Sequence, residues 1–175
     1  MGLMPPKASL PQIAVWLPSD VAAEGGRKRV YLLPGNLHAS AEPCQITTIL
    51  GSCVAICLWD KERRIGGMNH FLLPASPERG QTSSRFADVA TGMLLEQLRA
   101  AGCQRQDLVA KIFGGAAILQ TENHYARSLG AKNVAAAMRL MEHAGIPVVA
   151  QETGGGQGRK VVFRTDDGDV WSRRI

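Results

Sequence analysis

A thiol and an imidazole lie close enough in this sequence to do chemistry together. Cys53 falls within the run Thr47–Asp60 and His70 within Ile65–Pro74, and Lys61-Glu62-Arg63-Arg64 separates the two runs. Two short apolar runs around a charged break predict a β-hairpin with its turn near Lys61 to Arg64. Opposed residues of an antiparallel pair have a nearly constant sum of sequence numbers. If Asp60 faces Ile65, Cys53 falls opposite Leu72; a turn tighter by two puts it opposite His70. In either register His70 is a direct or diagonal neighbour of Cys53. A thiol beside an imidazole is the pair that makes a cysteine nucleophilic near neutral pH.

A lone cysteine in an apolar run is ordinarily a small buried hydrophobe, so the reading needs further support. Gly51 and Ser52 lie just before Cys53, where backbone N–H groups can meet a developing oxyanion. Thr47 or Thr48 can orient the imidazole by accepting its second N–H, the part a carboxylate plays in other hydrolases. Cys57, with no histidine arriving beside it, reads as core. His38, His124 and His143 fall in a turn region, a loop and a helix end, and are expected to face solvent. Gly66-Gly67 reads as room made for a ligand or a close backbone. The run Gly154–Lys160 does not make a phosphate loop, because Arg159-Lys160 leads into Val161-Val162-Phe163, a strand pattern, rather than into a helix.

A chain of 175 residues suffices for one domain with its own core. The net charge of +5 and an isoelectric point near 9.3 suit an acidic partner, and an acidic protein surface as well as any. Aromatic residues make up 5% of the chain, too few for base-stacking platforms, which argues against nucleic acid. Four cysteines without a CxxC pair give no zinc site and no disulfide framework. No apolar run approaches a membrane span. The Pro-containing N-terminus lacks the basic head and apolar stretch of a signal peptide, so the cytoplasm is the expected compartment.

The elements that must position the pair are short strands and two helices. Residues 1–26, rich in Pro, Ala, Ser and Gly, are expected to be a flexible extension carrying one apolar patch at Ile13–Leu17, ahead of a domain over 27–175. Arg29–Leu33 reads as a strand stopped by Pro34-Gly35-Asn36. Phe86, Val89, Met93, Leu94 and Leu98 mark one face of a helix beginning near Arg85, with Ser83-Ser84 as candidate caps and Gly102 as its stop. Leu108–Phe113 is a strand, the stretch from Gly114 to Lys132 a long loop, and a second helix runs from about Asn133 to Gly145. Strands follow at Pro147–Gln151, Arg159–Arg164 and Val170-Trp171. There is no regular βαβ alternation, so the class is α+β, with mostly antiparallel strands and two main amphipathic helices.

Several blocks closely resemble the CheD family of bacterial chemoreceptor glutamine deamidases. They are Thr47-Thr48-Ile49-Leu50-Gly51-Ser52-Cys53-Val54-Ala55, Gly66–Pro74, Arg85–Asp88, Lys111–Ala116, Gly130–Val134 and Gly154–Val161, in the family's order from about Arg29 onward. The resemblance implies a layered α/β sandwich and a Cys-His-Thr site: Cys53 as nucleophile, His70 as base, and Thr47 as the third member, with Thr48 the fallback. It implies a protein-glutamine glutaminase of chemotactic adaptation that needs no metal or cofactor. Its partners would be the cytoplasmic domains of methyl-accepting chemoreceptors and a CheC-type phosphatase. The alternatives are a non-catalytic adaptor that binds receptor or phosphatase, and a thiol hydrolase acting on receptor methyl esters.

Overall fold

A computed structural model of the chain describes residues 24–118 and 123–175. The extension expected over 1–26 lies outside them apart from its last three residues. The strands are β1 Lys28–Tyr31, β2 Leu37–Ser40, β3 Cys44–Leu50, β4 Val54–Asp60, β5 Ile65–Asn69, β6 Leu108–Gly114, β7 Val148–Thr153, β8 Arg159–Arg164 and β9 Val170–Arg174. The helices are α1 Ala87–Ala100 and α2 His124–Ala144.

Two sheets result, a four-stranded one in the order β1-β3-β8-β9 and a five-stranded one in the order β2-β5-β4-β6-β7. Pairing is antiparallel except between β1 and β3 and between β6 and β7. The fold is therefore α+β in three layers, with the helices on one face of the five-stranded sheet and the four-stranded sheet on the other. Strand alternation explains the layering. On β4, Val54, Ile56 and Leu58 join Ala90, Leu94 and Leu98 of α1 and Ala136, Ala137 and Met141 of α2 in one core. Ala55 and Cys57, on the opposite face, join Val30, Ile46, Val161 and Phe163 between the sheets. With apolar cover on both faces, β4 reads as a nearly continuous hydrophobic run.

That continuity hides a boundary. Thr47 to Asp60 looks like one strand, but the chain leaves the four-stranded sheet after Leu50 and enters the five-stranded sheet at Val54. Gly51-Ser52-Cys53 is the crossing.

Other expectations shift for local reasons. Gly66 and Gly67 lie opposite Trp59 and Leu58, far along the hairpin from Cys53. A Cβ on Gly66 would meet the Phe163 ring at 2.8 Å, and one on Gly67 would meet Leu94 at 2.7 Å and the His38 carbonyl of β2 at 2.8 Å, so the room is taken by the two cores and, as the close-backbone reading expected, by the neighbouring strand. Burying a ring such as Phe163 is worth about 1.5–3 kcal/mol. The second helix starts well before Asn133, because the Asn123 side chain caps it by accepting from the N–H groups of Tyr125 and Ala126. Its first turns carry polar residues on an exposed face, which blurs the helical period. Neither serine caps α1; Ser84 Oγ donates instead to the Gly35 carbonyl. The glycine run at 154–158 carries the chain from one sheet to the other.

Candidate active site

The β4–β5 hairpin sets the distance between the thiol and the imidazole. Asp60 faces Ile65 and Cys57 faces Met68, and a further bridge joins Val54 to Phe71. The constant sum puts Cys53 opposite Leu72, with His70 its diagonal neighbour. Cys53 packs on the core between the sheets. His70 follows Met68 and Gly66 by strand alternation and faces the same layer.

The ladder is irregular one residue before His70, where the Ile56 N–H donates to the Asn69 side-chain oxygen. His70 itself holds the non-hydrogen-bonded position beside the Val54–Phe71 pair, so its N–H and C=O face away from β4 and bond to the turn ahead of β2, with Asn36 O at 2.9 Å and Gly35 N at 2.7 Å. The ring is buried, and its Nδ1 lies 2.8 Å from Thr48 Oγ1. Thr48 Oγ1 donates to the Leu32 carbonyl at 2.7 Å. Since the Thr48 hydrogen is spent on Leu32, its oxygen accepts from the ring, which makes Nδ1 the protonated nitrogen and leaves the Nε2 lone pair unspent. Nε2 has no hydrogen-bond partner among the described residues.

This corrects the expected third member. Thr48, the fallback, meets the imidazole, whereas Thr47 points to the outer face of the four-stranded sheet, where it pairs with Tyr31 and Val162. The reason is the period of two: Cys44, Ile46, Thr48 and Leu50 all face inward. His38 is also corrected. It is buried in β2 rather than turned to solvent, whereas His124 and His143 are exposed.

Burial decides the protonation states. It lowers the His70 pKa to about 4, against a smaller opposing effect of the Leu32 carbonyl. It raises that of Cys53, partly offset by the residue's own N–H. At neutral pH the site therefore holds a neutral thiol and a neutral imidazole, a pair in which the sulfur can act as a nucleophile only by giving up its proton.

The crossing at Gly51-Ser52-Cys53 is held from behind. Ala116 N–H donates to Gly51 O at 2.9 Å and Gly115 N–H to Cys53 O at 2.8 Å. The Asn133 side-chain amide of α2 donates to Ser52 O at 2.9 Å and to Leu72 O at 2.8 Å. The 114–117 segment is tied in turn to the glycine run, through Ala117 N–H to Gly155 O at 2.7 Å and Gly154 N–H to Gly114 O at 2.9 Å. The buried Arg159 guanidinium braces that run by donating to the carbonyls of Glu152 and Gly154. Sequence reasoning did not give Asn133 a part here, since an asparagine on a helix carries no signal of which distant carbonyls it will meet. Among the described residues there is no cluster of three or more His, Cys, Asp or Glu that could hold a metal.

A family model described as CheD chemotactic sensory transduction matches residues 72–174, beginning just past His70. A protein of Anaeromyxobacter dehalogenans (strain 2CP-C) named "Probable chemoreceptor glutamine deamidase CheD 1" is 50% identical over 151 residues, 86% of this chain and 87% of its own. A "Probable chemoreceptor glutamine deamidase CheD" of Trichlorobacter lovleyi is 45% identical over 143 residues, covering 82% of this chain and 88% of its own. Among solved structures, Neisseria meningitidis protein NMB0706 aligns at 11% identity and a TM-score of 0.43, over 79% of this chain and 76% of that one. That likeness is too loose to add to the fold described above.

Proposed function

Because the chain belongs to the CheD family, we propose that it is a chemoreceptor glutamine deamidase working through a Cys53 thioester. The observation that supports this most is the state of His70, neutral and held by Thr48, with an unspent Nε2 lone pair in the layer that Cys53 faces. In the first step Nε2 takes the Cys53 proton as sulfur attacks the glutamine amide carbon. The carbonyl oxygen becomes an oxyanion, which the N–H groups of Ser52 and Cys53 receive. His70 then returns the proton to nitrogen, the C–N bond breaks, and ammonia leaves. Water, deprotonated by His70, opens the thioester to give glutamate and the free thiol. Thr48 keeps the ring in the required tautomer throughout.

The substrates in this reading are glutamines on the cytoplasmic helices of chemoreceptors, which requires a cytoplasmic enzyme; no helix of the described residues is long and apolar enough to cross a membrane. The family resemblance also supports a CheC-type phosphatase as a second partner. Acid quenching of a reaction with a glutamine-bearing receptor fragment tests the covalent step. Mass analysis is expected to find the acyl adduct on the Cys53 peptide, and turnover with no adduct under conditions where deacylation is rate-limiting would contradict it.

A further inference from the structure

Asn133 is fully buried in α2, yet its side chain reaches two backbone carbonyls contributed by residues far away in the chain. Nδ2 donates to Ser52 O at 2.9 Å and to Leu72 O at 2.8 Å. Both neighbours are acceptors, so the amide can present only its nitrogen to them. Leu72 is the register partner of Cys53, two residues past His70. One amide therefore ties the peptide just before the nucleophile to the strand that carries the base.

We propose that Asn133 is the positioning residue that aims the oxyanion donors. A trans peptide holds its C=O and N–H in opposite directions. With the Ser52 carbonyl turned to Asn133, the Cys53 N–H points away from α2. The Ala116 N–H fixes the Gly51 carbonyl in the same way, which turns the Ser52 N–H away from the 114–117 segment. Among the described residues neither of these two N–H groups donates to a carbonyl, and the Cys53 N–H lies on the side of its own sulfur, whose anionic form it favours. Two successive donors are thus left without a carbonyl partner by clamps acting on the carbonyl ends of their peptides, the second of them at the sulfur. The approach of α2 that brings Asn133 into reach depends on Gly130, where a Cβ would collide with the carbonyls of Gly115 and Ala116.

The assignment rests on the thiol-hydrolase reading above, and the test separates the two. Asn133→Ala and the isosteric Asn133→Asp are assayed for ammonia release from a glutamine-bearing receptor fragment, and for alkylation of Cys53 by iodoacetamide. Alkylation needs the thiol and the base but forms no oxyanion. The expected result is a kcat lowered roughly 100-fold with KM unchanged, while alkylation, which loses only the help of the Cys53 N–H to the thiolate, falls by a much smaller factor. A folded variant with wild-type kcat, or one in which kcat and alkylation fall by the same factor, overturns the assignment. A wild-type protein that alkylates but releases no ammonia overturns the deamidase reading instead. Should neither variant fold, the wild type still decides: the Asn133 side-chain N–H protons are expected to exchange slowly with solvent, and rapid exchange overturns the clamp.

Discussion

Thr48 Oγ1 stands 2.8 Å from His70 Nδ1 while its own hydrogen is committed to the Leu32 carbonyl. This contact joins the two sheets and fixes which imidazole nitrogen is basic. Thr48→Val keeps the shape and removes the acceptor, and kcat is expected to fall on the order of 100-fold. Thr47→Val, on the outer face of the same strand, is expected to leave kcat near wild type. Steady-state kinetics of the two variants checks this, and the reverse pattern would return the role to Thr47.

The thiol–imidazole register was legible in the sequence because a charged break and a run of apolar residues fix a hairpin, and Asp60 does face Ile65. The choice between Thr47 and Thr48 was not, since it depends on strand parity and the strand's true end at Leu50 was hidden by the apolar residues that follow. β2 was missed altogether: Leu37–Ser40 is four residues long, and its apolar–polar alternation is too short to stand out after the turn at Pro34-Gly35-Asn36. Asn133 could not be given its part from spacing, because Ser52 and Leu72 come from two other elements.

In the proposed mechanism the pH dependence of activity follows from the burial of His70. With the His70 pKa lowered to about 4, the acidic limb of kcat/KM is expected near that value rather than near the ordinary histidine value of about 6.5. A pH–rate profile on a receptor fragment measures it. A limb at the ordinary value would mean that the ring is solvated in the working enzyme.

Stability should carry the same signature twice over. Burial lowers both His70 and His38 to about 4. Between that value and their unfolded value the unfolded chain binds more protons than the folded one. Stability is therefore full above the unfolded value and declines as pH falls toward about 4, by at most about 1.4 kcal/mol per pH unit for each residue. Urea denaturation at several pH values reads the slope. His38→Gln is expected to remove about half of it, the share of one histidine of the two, and to leave deamidation intact.

Gly130→Ala probes the approach of α2 to the segment after β6. Its Cβ would press on carbonyl groups rather than on yielding side-chain tips, so a loss of about 1–3 kcal/mol is expected. Thermal or urea unfolding checks it; a stability equal to wild type would show that the helix shifts freely.

The most direct measurement is mass spectrometry of a glutamine-bearing receptor cytoplasmic fragment after incubation with the wild-type protein and with Cys53→Ala. The predicted result is conversion of specific glutamines to glutamate, with ammonia released by the wild type alone, while the variant keeps the wild-type fold by circular dichroism. Deamidation by Cys53→Ala at the wild-type rate, or an unmodified fragment that nonetheless binds the wild-type protein, would contradict a Cys53 deamidase.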